Sequence, residues 1–376
     1  MQSTTLTRRE LIREISPFSK VSTAYGLSLF FLDYVVYVAA IAGALLLPSL
    51  WMQLLASMVA GFKIGTLLTI GHDAAHGSLV KGKRLNWLLG VLCFVPCLYS
   101  YRMWVYDHHI LHHAHTNKDH KDTYTPLTKA EFDALPRWQQ WRERFYRQAN
   151  PVSFATYYIV ERWSQAKLFP HSGLPASMRA SAWKHCAFVV GVNLVYAAFL
   201  LAAPLYSHNS PLMGLFLGLL LPFFTFMFAA CLVLWSMHTN PDLAWYRGDA
   251  PNAELERTGE LVSVHVDLPR WLGWMVHDVN NHPVHHLYPA MPCYRLHKAQ
   301  IRYNELVGER TVVAKASVGY FLDTMRRCKL YDFERNCWLD FEGRPTTGLT
   351  KPYRNFQSAP AESDADSALR PVIGVS

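Results

Sequence analysis

Four long apolar runs, at roughly 28–47, 52–70, 182–203 and 212–235, constrain this chain more than any other feature. A helix needs about 20 predominantly apolar residues to cross the hydrocarbon core of a bilayer. Each run meets that length. The sequence therefore predicts an all-α integral-membrane fold with four transmembrane helices. The links 48–51 and 204–211 are short and contain neither Lys nor Arg, so the spans pair into two tight hairpins. A fifth apolar stretch, 85–99, is shorter and is interrupted by Pro96; it reads as interfacial or re-entrant.

Charge orients these spans. Lys and Arg total 36 against 28 acidic residues, for a formal charge of +8. Such a balance suits nucleic acid, an anionic membrane surface or an acidic protein, and the apolar runs decide for the membrane, with no nucleic-acid partner. Basic residues crowd 1–24, 81–181 and 247–355. The positive-inside rule makes those segments, and both termini, cytoplasmic. No short apolar core with a small-residue cleavage site follows Arg8, Arg9, Glu10 and Arg13, so no cleaved signal is expected. The expected host is a bacterial inner membrane, with the endoplasmic reticulum as the alternative. Seven cysteines without a CxxC pair read as free thiols. Residues 1–357 are expected to form one domain and 358–376 a disordered tail. The aromatic, polar stretch 117–180, with Trp138, Trp141 and Trp163, is expected to hold interfacial amphipathic helices.

Asp33 and Lys63 interrupt the first two spans with charge. Asp33 lies 17 residues before a turn near Leu50 and Lys63 lies 13 after it. At about 1.5 Å rise per residue their depths differ by only about 6 Å. An interhelical ion pair is expected.

Eighteen histidines occur, and most are clustered. His72 and His76 form HDAAH directly after the second run; i and i+4 share a helix face. His109, His112 and His113 form an HxxHH, flanked by His108 and His115. His282, His285 and His286 form another, and His238 stands alone after the fourth run. All of these fall in segments that the charge pattern puts on one membrane face. Nine ligands exceed the four of a tetrahedral zinc and suit two metal ions. Imidazole serves Zn, Cu, Fe and Ni alike, so residue type does not select the metal. A zinc peptidase would carry HExxH, and Asp73 and Ala75 fill that space here. A transporter would line the bilayer midplane with polar groups, whereas these histidines gather at one face.

The three boxes, HDAAH, HILHH and HPVHH, resemble those of the membrane fatty acid desaturases, most of all the delta-12/omega-3 acyl-lipid subgroup. The likeness covers roughly residues 10–305. Met237-His238-Thr239-Asn240-Pro241 and the stretch from His282 to Arg295 resemble that subgroup's fourth-helix and third-box segments. The register 109/112/113 is chosen because Thr116 and Asn117 then follow as in the subgroup. The resemblance implies a four-helix membrane bundle under a cytosolic histidine-rich cap. It implies two irons on His72, His76, His109, His112, His113, His238, His282, His285 and His286. Asp73, His108, Asp122, His277 and Asn281 are expected to support the ligands from behind, with Asp107 and Asp278 as further candidates. Asn240 departs from a commonly occurring histidine.

An unactivated methylene is not acidic, so acid–base groups do not break it; a metal-borne oxidant does, while the protein orients the chain. The expected reaction is O2-dependent desaturation of a long acyl chain on a lipid, on coenzyme A or on a carrier protein. No HPGG heme motif occurs, so electrons are expected from a separate ferredoxin or cytochrome-b5-type donor. The same architecture also serves carotenoid ketolases and hydroxylases, acyl hydroxylases and acetylenases, and product analysis separates them.

Overall fold

The structure, a computed structural model, describes residues 6–119, 125–247 and 262–350. Asp122 and the tail 358–376 lie outside the described residues. Four helices are long and apolar enough to cross a membrane: Thr23–Leu46, Leu50–His76, Ala176–Leu201 and Pro211–His238. They are the first to fourth spans. Ser22 caps the first span by accepting from the Tyr25 amide, and Pro48 stands in the link to the second. The second span runs beyond its apolar run to His76 and stops at Gly77, whose φ of +73° suits a left-handed helix cap.

Close helix contacts hold the bundle. A Cβ on Gly61 would sit 2.5 Å from the Pro222 carbonyl oxygen, so the second and fourth spans touch backbone to backbone there. Just before that crossing the fourth span loosens into a π-turn at Phe216–Leu220. Such a turn disturbs the i→i−4 ladder, and in lipid a freed carbonyl needs an internal partner. Ser57 Oγ donates to Leu217 O at 2.7 Å and Tyr196 Oη to Gly218 O at 2.9 Å. The expected pair between the first two spans is present, with Lys63 Nζ 2.6 Å from Asp33 Oδ1. The fifth apolar stretch forms a helix, Lys83–Phe94, packed on the second span, and Tyr34 Oη donates to its Leu92 carbonyl. All seven cysteines are free and buried.

Over one end of the bundle sits a cap. Residues 125–170 contribute the short helices Lys129–Ala134, Arg137–Tyr146 and Pro151–Tyr157 and a π-helix Tyr158–Lys167. The segment after the fourth span adds β1 (Val264–Asp267), which pairs in parallel with β2 (Val312–Lys315). A hairpin of β3 (Leu330–Asp332) and β4 (Cys337–Leu339) closes the described chain. Strands this short carry too few residues for a period-two pattern, and nothing in the sequence reading anticipated them.

Candidate metal centre

Each histidine box is placed by its own element. His72 and His76 project from the last turns of the second span, with ring centroids 4.6 Å apart. Asp73 between them turns inward and is buried. Its Oδ1 lies 3.0 Å from His72 Nδ1. Its Oδ2 accepts the Cys293 amide at the start of helix Cys293–Val307. One carboxylate thus orients a first-box ring and anchors the helix that follows the third box.

The second box lies on a π-helix, Tyr106–His112, where the His113 amide donates to His108 O. In an α-helix the HxxHH residues 109, 112 and 113 would share a face. In a π-turn the spacing widens to i+5. His108, His112 and His113 therefore turn inward together, and His113 Nε2 lies 3.0 Å from His108 Nε2. His108, expected behind the ligands, thus lies among the ring nitrogens of one group. His109 is outside both ligand groups, stacked near His76 at 4.1 Å between centroids.

His282, His285 and His286 occupy the short helix His282–Leu287, all buried. Gln300 Oε1 accepts the Val284 amide at 3.1 Å, and β1 bridges to Asn281 through His265. His238 ends the fourth span; its Nδ1 faces Val262 O at 3.0 Å, and its Nε2 faces His282 Nε2 at 2.9 Å. Asn117 Nδ2 donates to Ala244 O, and Tyr246 N donates to Asn117 O, tying the second box to the chain after His238.

Two groups of ring nitrogens result. His72, His76, His108, His113 and His285 form one; His112, His238, His282 and His286 form the other. Within each, the ligand atoms all lie within 4.8 Å of one another. Neighbouring Nε2 atoms stand 2.9 to 3.2 Å apart. Two imidazole nitrogens at 2.0–2.1 Å from one ion and at right angles stand about 2.9 Å apart. Hydrogen bonding alone does not account for the pattern. His285 Nε2 faces both His72 and His113, and His282 Nε2 faces both His238 and His286, yet each ring nitrogen carries one proton at most. His76 Nε2 is buried without a partner. The donor set therefore fits two metal ions. Burial, together with the neighbouring rings, pushes His108, His113, His282, His285 and His286 well below the ordinary histidine pKa. They are neutral at pH 7, as ligands must be.

The remaining candidates stand around this core. Burial alone would raise the Asp107 carboxyl, but Lys167 and Arg162 beside it hold it below its usual range. Lys167 and Arg162 carried no motif and were not singled out in the sequence. Asp278 pairs with Arg270, and Asn281 Nδ2 donates to Asp278 O. His277 is away from both groups, its Nε2 lying 2.7 Å from Asp33 Oδ2.

Beside the first group a cavity of about 110 Å³ runs between the second and fourth spans. Gly65, Thr69, Ala230, Val233, Val276 and Val279 line it together with Trp104 and His72. Trp104 stacks on His108 at 4.4 Å. An apolar slot that ends on metal-binding rings suits a hydrocarbon chain.

The family model for fatty acid desaturases matches residues 48–314. The omega-6 fatty acid desaturase of spinach chloroplasts (Spinacia oleracea) is 28% identical over 324 residues, covering 85% of this chain. The chain spans 65% of that relative's length. The sn-1 oleoyl-lipid 12-desaturase of Picosynechococcus sp. is 28% identical over 307 residues, covering 80% of this chain and 83% of that protein. The sn-1 acyl-lipid omega-3 desaturase (ferredoxin) of Synechocystis sp. is 27% identical over 292 residues, 77% of each. With four membrane-length helices, two histidine groups and a family match across most of its length, the chain belongs to the fatty acid desaturase family.

Proposed function

We propose that the protein is an O2-dependent acyl-lipid desaturase that inserts a double bond into a long acyl chain at a histidine-ligated diiron centre. The observation that carries this reading is the pair of imidazole groups, the first of which lines an apolar cavity through His72 and His108. In this reading His72, His76, His108, His113 and His285 hold one iron, and His112, His238, His282 and His286 hold the other. Bound iron, supplied with O2 and electrons, provides the oxidising strength that removal of hydrogen from an unactivated methylene requires. Two hydrogens leave adjacent carbons, and two electrons and two protons from outside complete the reduction of O2 to two waters.

The chain's own residues supply the rest. Asp73 and the Val262 carbonyl fix the rings of His72 and His238 through Nδ1, which keeps each Nε2 directed inward. The cavity walls hold the chain extended and exclude water. Trp104 and His72 in its lining set which carbons stop beside the centre. Two relatives are named for lipid-borne acyl chains, which favours a lipid substrate over coenzyme A or a carrier protein. One is named with ferredoxin, which favours a small acidic iron–sulfur donor over a cytochrome b5. The basic segments orient the cap and both termini to the cytoplasm.

Expression in a desaturase-free bacterium with added iron tests the reading by mass spectrometry of total fatty acids, with His112→Ala as control. A new unsaturated chain absent from the control is expected. A hydroxylated or ketolated product would assign a different reaction, and a single zinc retained after iron-replete growth would overturn the diiron centre.

A further inference from the structure

His277 of the cap donates to a carboxylate inside the first span. Its Nε2 lies 2.7 Å from Asp33 Oδ2, while Lys63 Nζ holds the other oxygen of the same carboxylate at 2.6 Å. Asp33 has no exposed surface. The depth of this contact follows from the second span. That helix starts at Leu50, beside Trp51, which is 81% exposed at the end remote from the histidines. Trp at such a position marks the interface. Lys63 lies 13 residues further on, about 20 Å along a helix in a hydrocarbon core about 30 Å thick. The pair therefore sits about 10 Å inside the boundary on the cap side.

A piece of the cap must reach down to that level. The His277 amide donates to Trp274 O at 3.1 Å, which ties the helix Arg270–Met275 to the same depth. Trp271, Trp274 and Met275 on this helix are 65%, 54% and 39% exposed. On the other side of the segment, Val276 and Val279 face the cavity. His277 and Asp278 both take left-handed backbone, with φ of +53° and +55°. Irregular backbone at membrane depth is tolerated where its groups are satisfied inside the protein. Here Asp278 N donates to Gly273 O at 2.7 Å and Asn281 N to Asp278 O at 3.0 Å. Arg270, half exposed, pairs with Asp278 and has the length to lift its charge toward the headgroups.

We infer that residues 270–279 form a re-entrant segment embedded in the cap-side leaflet. Lipid acyl chains pack on Trp271, Trp274 and Met275, and the segment is the single layer of protein between those lipids and the cavity. The segment is pinned at that depth by Asp33 and Lys63. This rests on the membrane reading of the spans and on the cavity as the acyl site, but its test needs neither iron nor turnover.

The test uses the full chain. Because all seven native cysteines are buried, Trp274→Cys presents a reactive thiol for a nitroxide label. Arg326→Cys, at a side chain 80% exposed in the cap, serves as the water-facing control. After reconstitution in phosphatidylcholine bilayers, collision with O2 and with an aqueous nickel chelate is read by electron paramagnetic resonance. The label at 274 is expected to favour O2 over nickel several-fold more than the label at 326. Equal nickel access at both sites would make the tryptophan face a water-exposed protein-docking surface and overturn the inference. Trp271→Cys repeats the measurement should the first variant fail to fold. Lipid depth at 274 without any desaturated product would leave this inference standing and remove the proposed activity; product with nickel access at 274 would do the reverse.

Discussion

Asp33 Oδ1 and Lys63 Nζ lie 2.6 Å apart between the first two spans, in a bundle where no other acidic or basic side chain stands so far from both ends of its helix. Removing one partner of a buried ion pair leaves the other uncompensated, at a cost of about 3–5 kcal/mol. Asp33→Lys and Lys63→Asp are each expected to lower the yield of folded protein, read by detergent size-exclusion chromatography. The double swap should recover part of it, since the pair is restored in reverse. Recovery should stay incomplete, because a lysine at 33 faces His277 where the carboxylate did. A double variant no better than the singles would mean that the pair contributes nothing.

The second box offers a sharper test, because two adjacent histidines compete for one role. His108→Ala is expected to lower bound iron from two per chain toward one, measured by elemental analysis of purified protein. His109→Ala should keep both. The opposite result would show that residues 106–112 wind as an α-helix when metal is bound.

Acid should release the metals before it unfolds the spans. His108, His113, His282, His285 and His286 have folded-state pKa values well below the ordinary 6.5, because burial and neighbouring rings oppose their charged forms. His109 and His265, buried likewise, are pushed down to about 4. For a lowered pKa the unfolded chain takes up protons first as pH falls. Stability is then complete above about pH 6.5 and is lost progressively as pH falls toward the folded values. Metal retention follows the same direction, since ligation requires neutral imidazole. Iron bound after dialysis at pH 7.5, 6.0 and 5.0 should decline in that order, and a flat profile would contradict the assignment.

Gly65 faces the cavity, and the nearest atom to a Cβ built on it is Phe226 Cδ2 at 3.9 Å. Gly65→Phe has room at Cβ but fills the slot with its ring. Turnover of the longest chains is expected to fall about tenfold, equivalent to about 1.4 kcal/mol of transition-state binding. Iron content should be unchanged, because no ligand is touched. Equal loss across chain lengths would argue that the acyl chain lies elsewhere.

Much of this architecture was readable in the chain. The four spans were visible because membrane helices must be apolar over their whole length, and the largest boundary shifts came where helix continued past the apolar run, as at the end of Leu50–His76 and the start of Ala176–Leu201. The pairing of Asp33 with Lys63 followed from counting rise on both sides of one hairpin. The membership of His72, His76, His112, His113, His238, His282, His285 and His286 in two convergent groups followed from box spacing and one-sided placement. The approach of His108 to His113 was not readable, since a π-turn leaves no mark in residue spacing and an HxxHH fits either winding. Equally hidden was the contact of His277 with Asp33, which joins residues 244 positions apart.

By itself, then, the sequence determined the solvent of each segment, the number of spans and the inventory of ligands, because these depend on side-chain chemistry and local periodicity. The tertiary structure decided which ring nitrogens meet and which cap residue reaches the Asp33–Lys63 pair. Those outcomes depend on backbone winding and on contacts between distant segments. A change of one residue in helical winding rotates a side chain by about 100°, enough to exchange one histidine for its neighbour at the metal.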